Sequence, residues 1–171
     1  LIVGFYYYSA SNGAFMFFFA YGSNMNHRQM LHDRCPGARF IAPAKLEGYW
    51  LVFDGYSAPW RGAVANILPS SEDLVWGGLF ELDDNHLKAL DGFEGYPRYY
   101  SRIKVDVLPN DHKQMVQAWA YVRDPHPEGT PSHEYLAALI QGARDCQLPE
   151  HYIWSAFEIN LKLPPSSTRN F

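Results

Sequence analysis

Two short segments of the sequence carry residue types that can do chemistry together. The first, Phe18-Phe19-Ala20-Tyr21-Gly22-Ser23-Asn24-Met25, ends an aromatic run in Gly-Ser-Asn just before a helix start. Such a junction exposes consecutive backbone N–H groups that can hold a carboxylate or a developing oxyanion, and Ser23 and Asn24 add side-chain donors. The same residues also suit an ordinary strand-to-helix turn capped by Asn24 or Asn26. The second segment, Asp91-Gly92-Phe93-Glu94-Gly95-Tyr96-Pro97-Arg98-Tyr99-Tyr100, sets Glu94 between an aromatic residue and a glycine. Desolvation among aromatics raises a carboxyl pKa and makes the group a proton shuttle near neutral pH. A solvated loop glutamate is the alternative reading. Asp91 reads as a turn residue near a helix end, and Arg98 as a cation that neutralises a carboxylate or binds a substrate anion.

Other chemistries lack their residues. There is no Gly-x-Ser-x-Gly elbow, and neither Cys35 nor Cys146 lies in a reactive motif. His133-Glu134 opens like a zinc-protease helix but has no second histidine four positions after the first, and His27 and His32 are five apart. No Gly-rich phosphate fingerprint occurs. We therefore expect neither a catalytic metal nor a cofactor. A net charge of -4 argues against binding nucleic acid through phosphates. Two cysteines are too few for a disulfide scaffold and read as free thiols in a reducing, cytoplasmic compartment.

These segments need a scaffold of strands. A chain of 171 residues fits one domain, with 47% hydrophobic and 16% aromatic residues. Leu1 to Ala20 is apolar, but Ser9, Ser11, Asn12 and Gly13 break any membrane-length run. We read 1–15 as an upstream or non-native extension, 16–163 as the single domain and 164–171 as a tail. Phe15 to Tyr21 reads as a buried strand, and a short helix follows Asn26, with Asn26 and Gln29 at capping-box spacing. Phe40 to Phe53 reads as one bent strand or two. Ala63 to Leu68 and Val75 to Leu82 read as separate strands around the polar turn Pro69 to Asp73. Asp83 or Asp84 caps a helix that Gly92 ends, leaving Phe93 to Pro97 as a loop. Tyr99 to Leu108 pairs with Gln114 to Arg123 about a Pro109-Asn110-Asp111 turn. Ser132 caps a helix through about Arg144, and a last helical segment follows Pro149. Together these elements predict an α+β fold, a small closed barrel with a few flanking helices.

At its two chemical segments the sequence resembles the γ-glutamylcyclotransferase family. The resemblance rests on Phe19-Ala20-Tyr21-Gly22-Ser23-Asn24-Met25 and on Leu90-Asp91-Gly92-Phe93-Glu94-Gly95, with Trp60-Arg61-Gly62, Val75-Trp76-Gly77 and Ser132-His133-Glu134-Tyr135 in matching order. It covers about Met16 to Ile159. It implies a small mixed, mostly antiparallel β-barrel, with Glu94 as the acid/base. Phe18, Phe19, Ala20, Tyr21, Gly22, Ser23 and Asn24 are implied as the substrate-binding loop, and Tyr121 as a pocket-lining tyrosine. The family often has Tyr where Phe18 stands, so no hydroxyl contact is expected there.

The implied activity is intramolecular aminolysis. A γ-glutamyl substrate brings its own α-amino nucleophile, and holding it folded supplies the advantage of proximity without an enzyme nucleophile or metal. The expected products are 5-oxoproline and a free amine. The expected partner is a small γ-glutamyl molecule, with no nucleic acid and no membrane, in a monomer or homodimer. A cyclotransferase for γ-glutamylamines or another γ-glutamyl metabolite is the alternative within this chemistry. A non-catalytic ligand-binding or interaction module on the same fold is the alternative outside it. Gly22 is expected to be required by the turn or by close backbone approach.

Overall fold

The computed structural model describes residues 15–110 and 112–162. The predicted tail, and all of the predicted extension except Phe15, lie outside the described residues, as does Asp111 of the predicted turn.

Five strands close into a barrel in the order β1-β3-β2-β4-β5. The aromatic run makes β1 (Met16–Ala20), antiparallel to β3 (Gly62–Leu82) and parallel to β5 (Val116–Val122). β2 (Arg39–Ser57) and β4 (Ser101–Pro109) complete the ring through antiparallel pairs. The single parallel pair closes the barrel, so the mixed, mostly antiparallel α+β fold is the one expected. Phe18, Phe19, Leu79, Phe80 and Leu82 are buried and fill the core with Leu136, Leu139 and Ala143 from the helix after Ser132.

The 62–82 segment differs from expectation. It is one strand, because both flanks pair with the same partner: Pro69 lies opposite Tyr49 and Leu74 opposite Glu47. The polar run Ser70 to Asp73 is therefore a bulge facing Gly48, whose left-handed φ of 83° accommodates it. β2 is likewise one strand, bent by three register shifts.

The helices position the chemical segments. Asn26 Oδ1 accepts from the Gln29 amide at 3.1 Å, as a capping residue should, and a widened helical turn runs over Arg28–Arg34. The reciprocal half of the predicted capping box is absent: Gln29 Nε2 donates instead to Ser23 Oγ at 3.0 Å. α1 (Asp84–Glu94) begins in a capping box between Asp83 and His86. It does not stop at Gly92. Nothing crowds Gly92, and the left-handed residue that ends the helix is Gly95, with φ 66°. Glu94 is therefore the last residue of a helix, held more rigidly than a loop residue.

α2 (His133–Asp145), capped by Ser132 as predicted, backs the 3₁₀ turn Ser23–Met25. Beyond it, Pro149 opens a final helical stretch, α3 (Glu150–Ile153) running through a widened turn into α4 (Ile159–Lys162). Gly142 sets the α2 contact: a Cβ there would lie 2.4 Å from the Asn26 nitrogen and 2.7 Å from the Met25 carbonyl carbon. Backbone cannot yield cheaply at that distance. Gly142→Ala should cost about 1–3 kcal/mol by urea denaturation, and should weaken substrate use by displacing the turn. A variant as stable as the parent would show that the contact is not tight.

Candidate active site

A cavity of about 620 Å³ opens at the C-terminal end of β1, within the size range of small-molecule sites. The fold brings all of the predicted site residues to it: Phe18, Phe19, Ala20, Tyr21, Gly22, Ser23, Asn24, Glu94 and Tyr121. The end of α1, the β2–β3 turn around Trp60 and Tyr135 of α2 supply the other walls.

Glu94 is fixed through one oxygen. Its Oε1 accepts from Asn24 Nδ2 at 2.9 Å and from Arg34 Nη1 at 3.1 Å. Asn24 Oδ1 in turn accepts from Arg34 Nη1 at 2.6 Å, closing a triangle. Oε2 has no partner among the described residues. Burial raises the Glu94 pKa above its ordinary 4.5, while the Arg34 charge and the Asn24 hydrogen bond pull it back. The carboxyl is thus oriented by two donors, partly desolvated, and left with one oxygen for a proton.

The 3₁₀ turn closes on itself, the amides of Met25 and Asn26 donating to the carbonyls of Gly22 and Ser23. The amides of Ser23 and Asn24 precede that first closure, where helix-start N–H groups lack intrahelical acceptors. Gly22 itself has φ -110° and ψ -150°, extended backbone open to any residue. A Cβ there would make ordinary contacts with Tyr135 Oη at 3.6 Å and Ala65 Cβ at 3.9 Å. The expected requirement of the turn for glycine is therefore not found. Gly22→Ala should fold with unchanged or slightly raised stability by thermal melting, yet raise KM because the methyl narrows the cavity. Loss of stability would point back to backbone strain.

The tyrosine hydroxyls of the site both donate and accept. Tyr21 Oη donates to the Tyr121 carbonyl at 2.5 Å, and the Ala65 amide donates to Tyr135 Oη at 3.0 Å. Burial pushes the phenols of Tyr21, Tyr100 and Tyr135 upward, so they stay protonated at neutral pH. Tyr121 lines the cavity, but its hydroxyl is engaged with Asp91 Oδ1 at 2.8 Å.

Two sequence readings change here, and two cations join the site. Asp91 is no turn residue; it lies within α1, holding Tyr121 and facing Arg102 Nε at 3.4 Å. Arg98 stacks over Tyr99 and takes no ion-pair partner among the described residues. The cation beside Glu94 is Arg34, which the sequence reading missed. A second missed cation, Arg123, lines the cavity and pairs with the buried Asp54. Arg34 adjoins no motif and reaches the site only through the folding-back of its element, whereas Arg123 stands two residues after Tyr121, at the spacing that shares a strand face.

Among the described residues no group of three or more His, Cys, Asp or Glu is arranged to hold a metal. No described helix is long and apolar enough to cross a membrane. Cys35 and Cys146 are free and buried, and burial pushes the Cys35 thiol up to about 11.

The closed barrel and its cavity belong to a chain of which residues 74–155 match the AIG2-like family. The human gamma-glutamylcyclotransferase is 31% identical over 140 residues, covering 79% of this chain and 73% of that protein. A solved structure of a gamma-glutamyl cyclotransferase superposes with a TM-score of 0.79 at 28% identity, covering 92% of this chain and 93% of that one. A bovine gamma-glutamylaminecyclotransferase is 30% identical over 123 residues, covering 68% of this chain and 71% of that protein. The chain belongs to the γ-glutamylcyclotransferase family.

Proposed function

We propose that this protein is a γ-glutamylcyclotransferase that releases 5-oxoproline, with Glu94 as its general acid/base. The reading rests above all on the Glu94 carboxyl, which is raised in pKa, anchored through Oε1 by Asn24 and Arg34, and free at Oε2. The substrate's α-ammonium gives a proton to Glu94, and the freed amine attacks the γ-carbonyl carbon. The lactam C–N bond forms and the original amide C–N bond breaks. Glu94 passes that proton to the leaving nitrogen, then takes the second proton from the new lactam nitrogen and passes it to the released amine, which departs as an ammonium, so no water is consumed and the carboxylate is regenerated. Loop donors at Gly22 to Asn24 serve a substrate carboxylate or the tetrahedral oxygen. The cavity suits folding the substrate into a near-attack conformer, which supplies proximity.

We further propose a cytoplasmic location, which two unpaired thiols support, and a monomer or homodimer as the assembly. Incubation with γ-glutamyl-alanine, γ-glutamyl-ε-lysine and glutathione, with 5-oxoproline read by mass spectrometry, tests the reaction. Turnover of at least one of them is expected. Saturable binding of all three without any 5-oxoproline would replace the enzyme with a binding module.

A further inference from the structure

The cation that the proton chemistry does not use is Arg123. It follows β5 on a wall built with β2 and β3, and has no contact with Glu94, Asn24 or Arg34. Its side chain is only 10% exposed. Nη2 makes all of its hydrogen bonds, to the Asp54 carboxylate, to the Asp54 carbonyl at 2.6 Å and to the Val64 carbonyl at 3.3 Å. Nε is enclosed without a partner, and Nη1 has none among the described residues.

Asp54 does not compete for a ligand. It is 1% exposed, Arg123 engages its Oδ1, and Oδ2 accepts from Asn66 Nδ2 at 3.3 Å and the His126 amide at 3.0 Å. The Tyr100 ring packs on the guanidinium at 5.7 Å. Arg123 is thus locked in place, permanently charged, and short of acceptors inside a ligand-sized cavity. Nε is sealed from the cavity, so Nη1, which is not enclosed, is the donor that an entering anion would engage.

We propose that Arg123 is a specificity-determining residue that binds the α-carboxylate of the leaving amino acid, so that γ-glutamyl amino acids are taken in preference to γ-glutamylamines. This rests on the cyclotransferase reaction proposed above. The substrate's two carboxylates are distinguished by position. That of the glutamyl half sits on the carbon bearing the attacking amine, so it stays with Glu94 and the Ser23–Asn24 donors. The carboxylate of the leaving residue lies beyond the scissile nitrogen, away from that wall.

The experiment compares kcat/KM for γ-glutamyl-alanine and γ-glutamyl-alaninamide, which differ only in that carboxylate. The ratio is read on wild type, on Arg123→Lys and on the double variant Asp54→Asn/Arg123→Gln, which leaves no buried carboxylate unpaired. A ratio taken on one sample is independent of the fraction folded. Wild type should favour the acid by roughly 10–100-fold, the usual worth of a hydrogen bond to a charged group. The double variant should bring the ratio close to one, with Arg123→Lys between. A wild type without preference, or a variant that slows both substrates alike, would overturn the assignment. No 5-oxoproline from either substrate with wild type would overturn the proposed reaction itself, and this inference with it.

Discussion

Glu94→Gln should leave a folded protein whose 5-oxoproline formation is lower by about 10²–10⁴-fold. The amide oxygen can still accept from Asn24 Nδ2 and Arg34 Nη1, which now hold Oε1 at 2.9 Å and 3.1 Å. The amide nitrogen then takes the place of Oε2, and it cannot receive the ammonium proton. The nucleophile stays masked and the leaving amine finds no acid. Both failures arise from one group, which favours the upper end of the range. Binding should change little, because the Gly22 to Asn24 turn is untouched. The ionisation has a sign in stability too. A folded-state pKa above 4.5 means that the carboxyl form stabilises the fold at low pH, and that this contribution is lost as pH rises through the raised value. The thermal midpoint of Glu94→Gln should therefore gain on wild type as pH rises. Turnover, calorimetric binding and circular dichroism belong on the same sample. A folded variant keeping more than about a tenth of wild-type turnover lies outside the general acid–base range and would remove Glu94 from the acid/base role.

Much of this geometry was legible because it is local. The Phe18 to Asn24 strand and turn, the Ser132 cap and the β4–β5 pair depend on neighbours in sequence, and propensity and capping identify them. Glycine proved ambiguous. Gly92 and Gly95 are equivalent as helix breakers on paper, and only the φ of 66° at Gly95 shows which one ends α1. The polar run Ser70 to Asp73 has the composition of a turn, but its flanks find the same partner strand, so pairing overrides composition. The cavity cations were the least legible. Arg34 lies 60 residues from Glu94 and Arg123 lies 69 from Asp54, so nothing in the local pattern links either pair. Arg98, four residues after Glu94, was the nearer candidate in sequence and proved to be outside the contact. Proximity along the chain identified the carboxylate but not the charge that tunes it.

Replacing Arg34 by methionine should make activity more sensitive to acid. Arg34 and Glu94 are both shielded, with side-chain exposures of 17% and 16%, so their attraction is screened less than that of a surface pair. Arg34 is also the strongest influence holding the Glu94 pKa down against burial. Without it the value rises further, and a smaller fraction of Glu94 is the carboxylate that accepts the substrate proton. The sign is then fixed: kcat/KM on the acid side falls in the variant, and raising the pH recovers it. An adjacent opposite charge is generally worth roughly tenfold or more in a protonation equilibrium. The ratio of variant to wild-type kcat/KM should thus be lower at pH 6 than at pH 9. The substrate's own ammonium titrates identically with both proteins and cancels in that ratio. No histidine lines the cavity among the described residues, and burial keeps the Tyr21, Tyr100 and Tyr135 phenols protonated, so Glu94 is the group that titrates there. A merely structural Arg34 would lower activity by the same factor at every pH. A ratio flat from pH 6 to pH 9 in a folded Arg34→Met would show that the arginine holds the Asn24 turn in place without tuning the carboxyl.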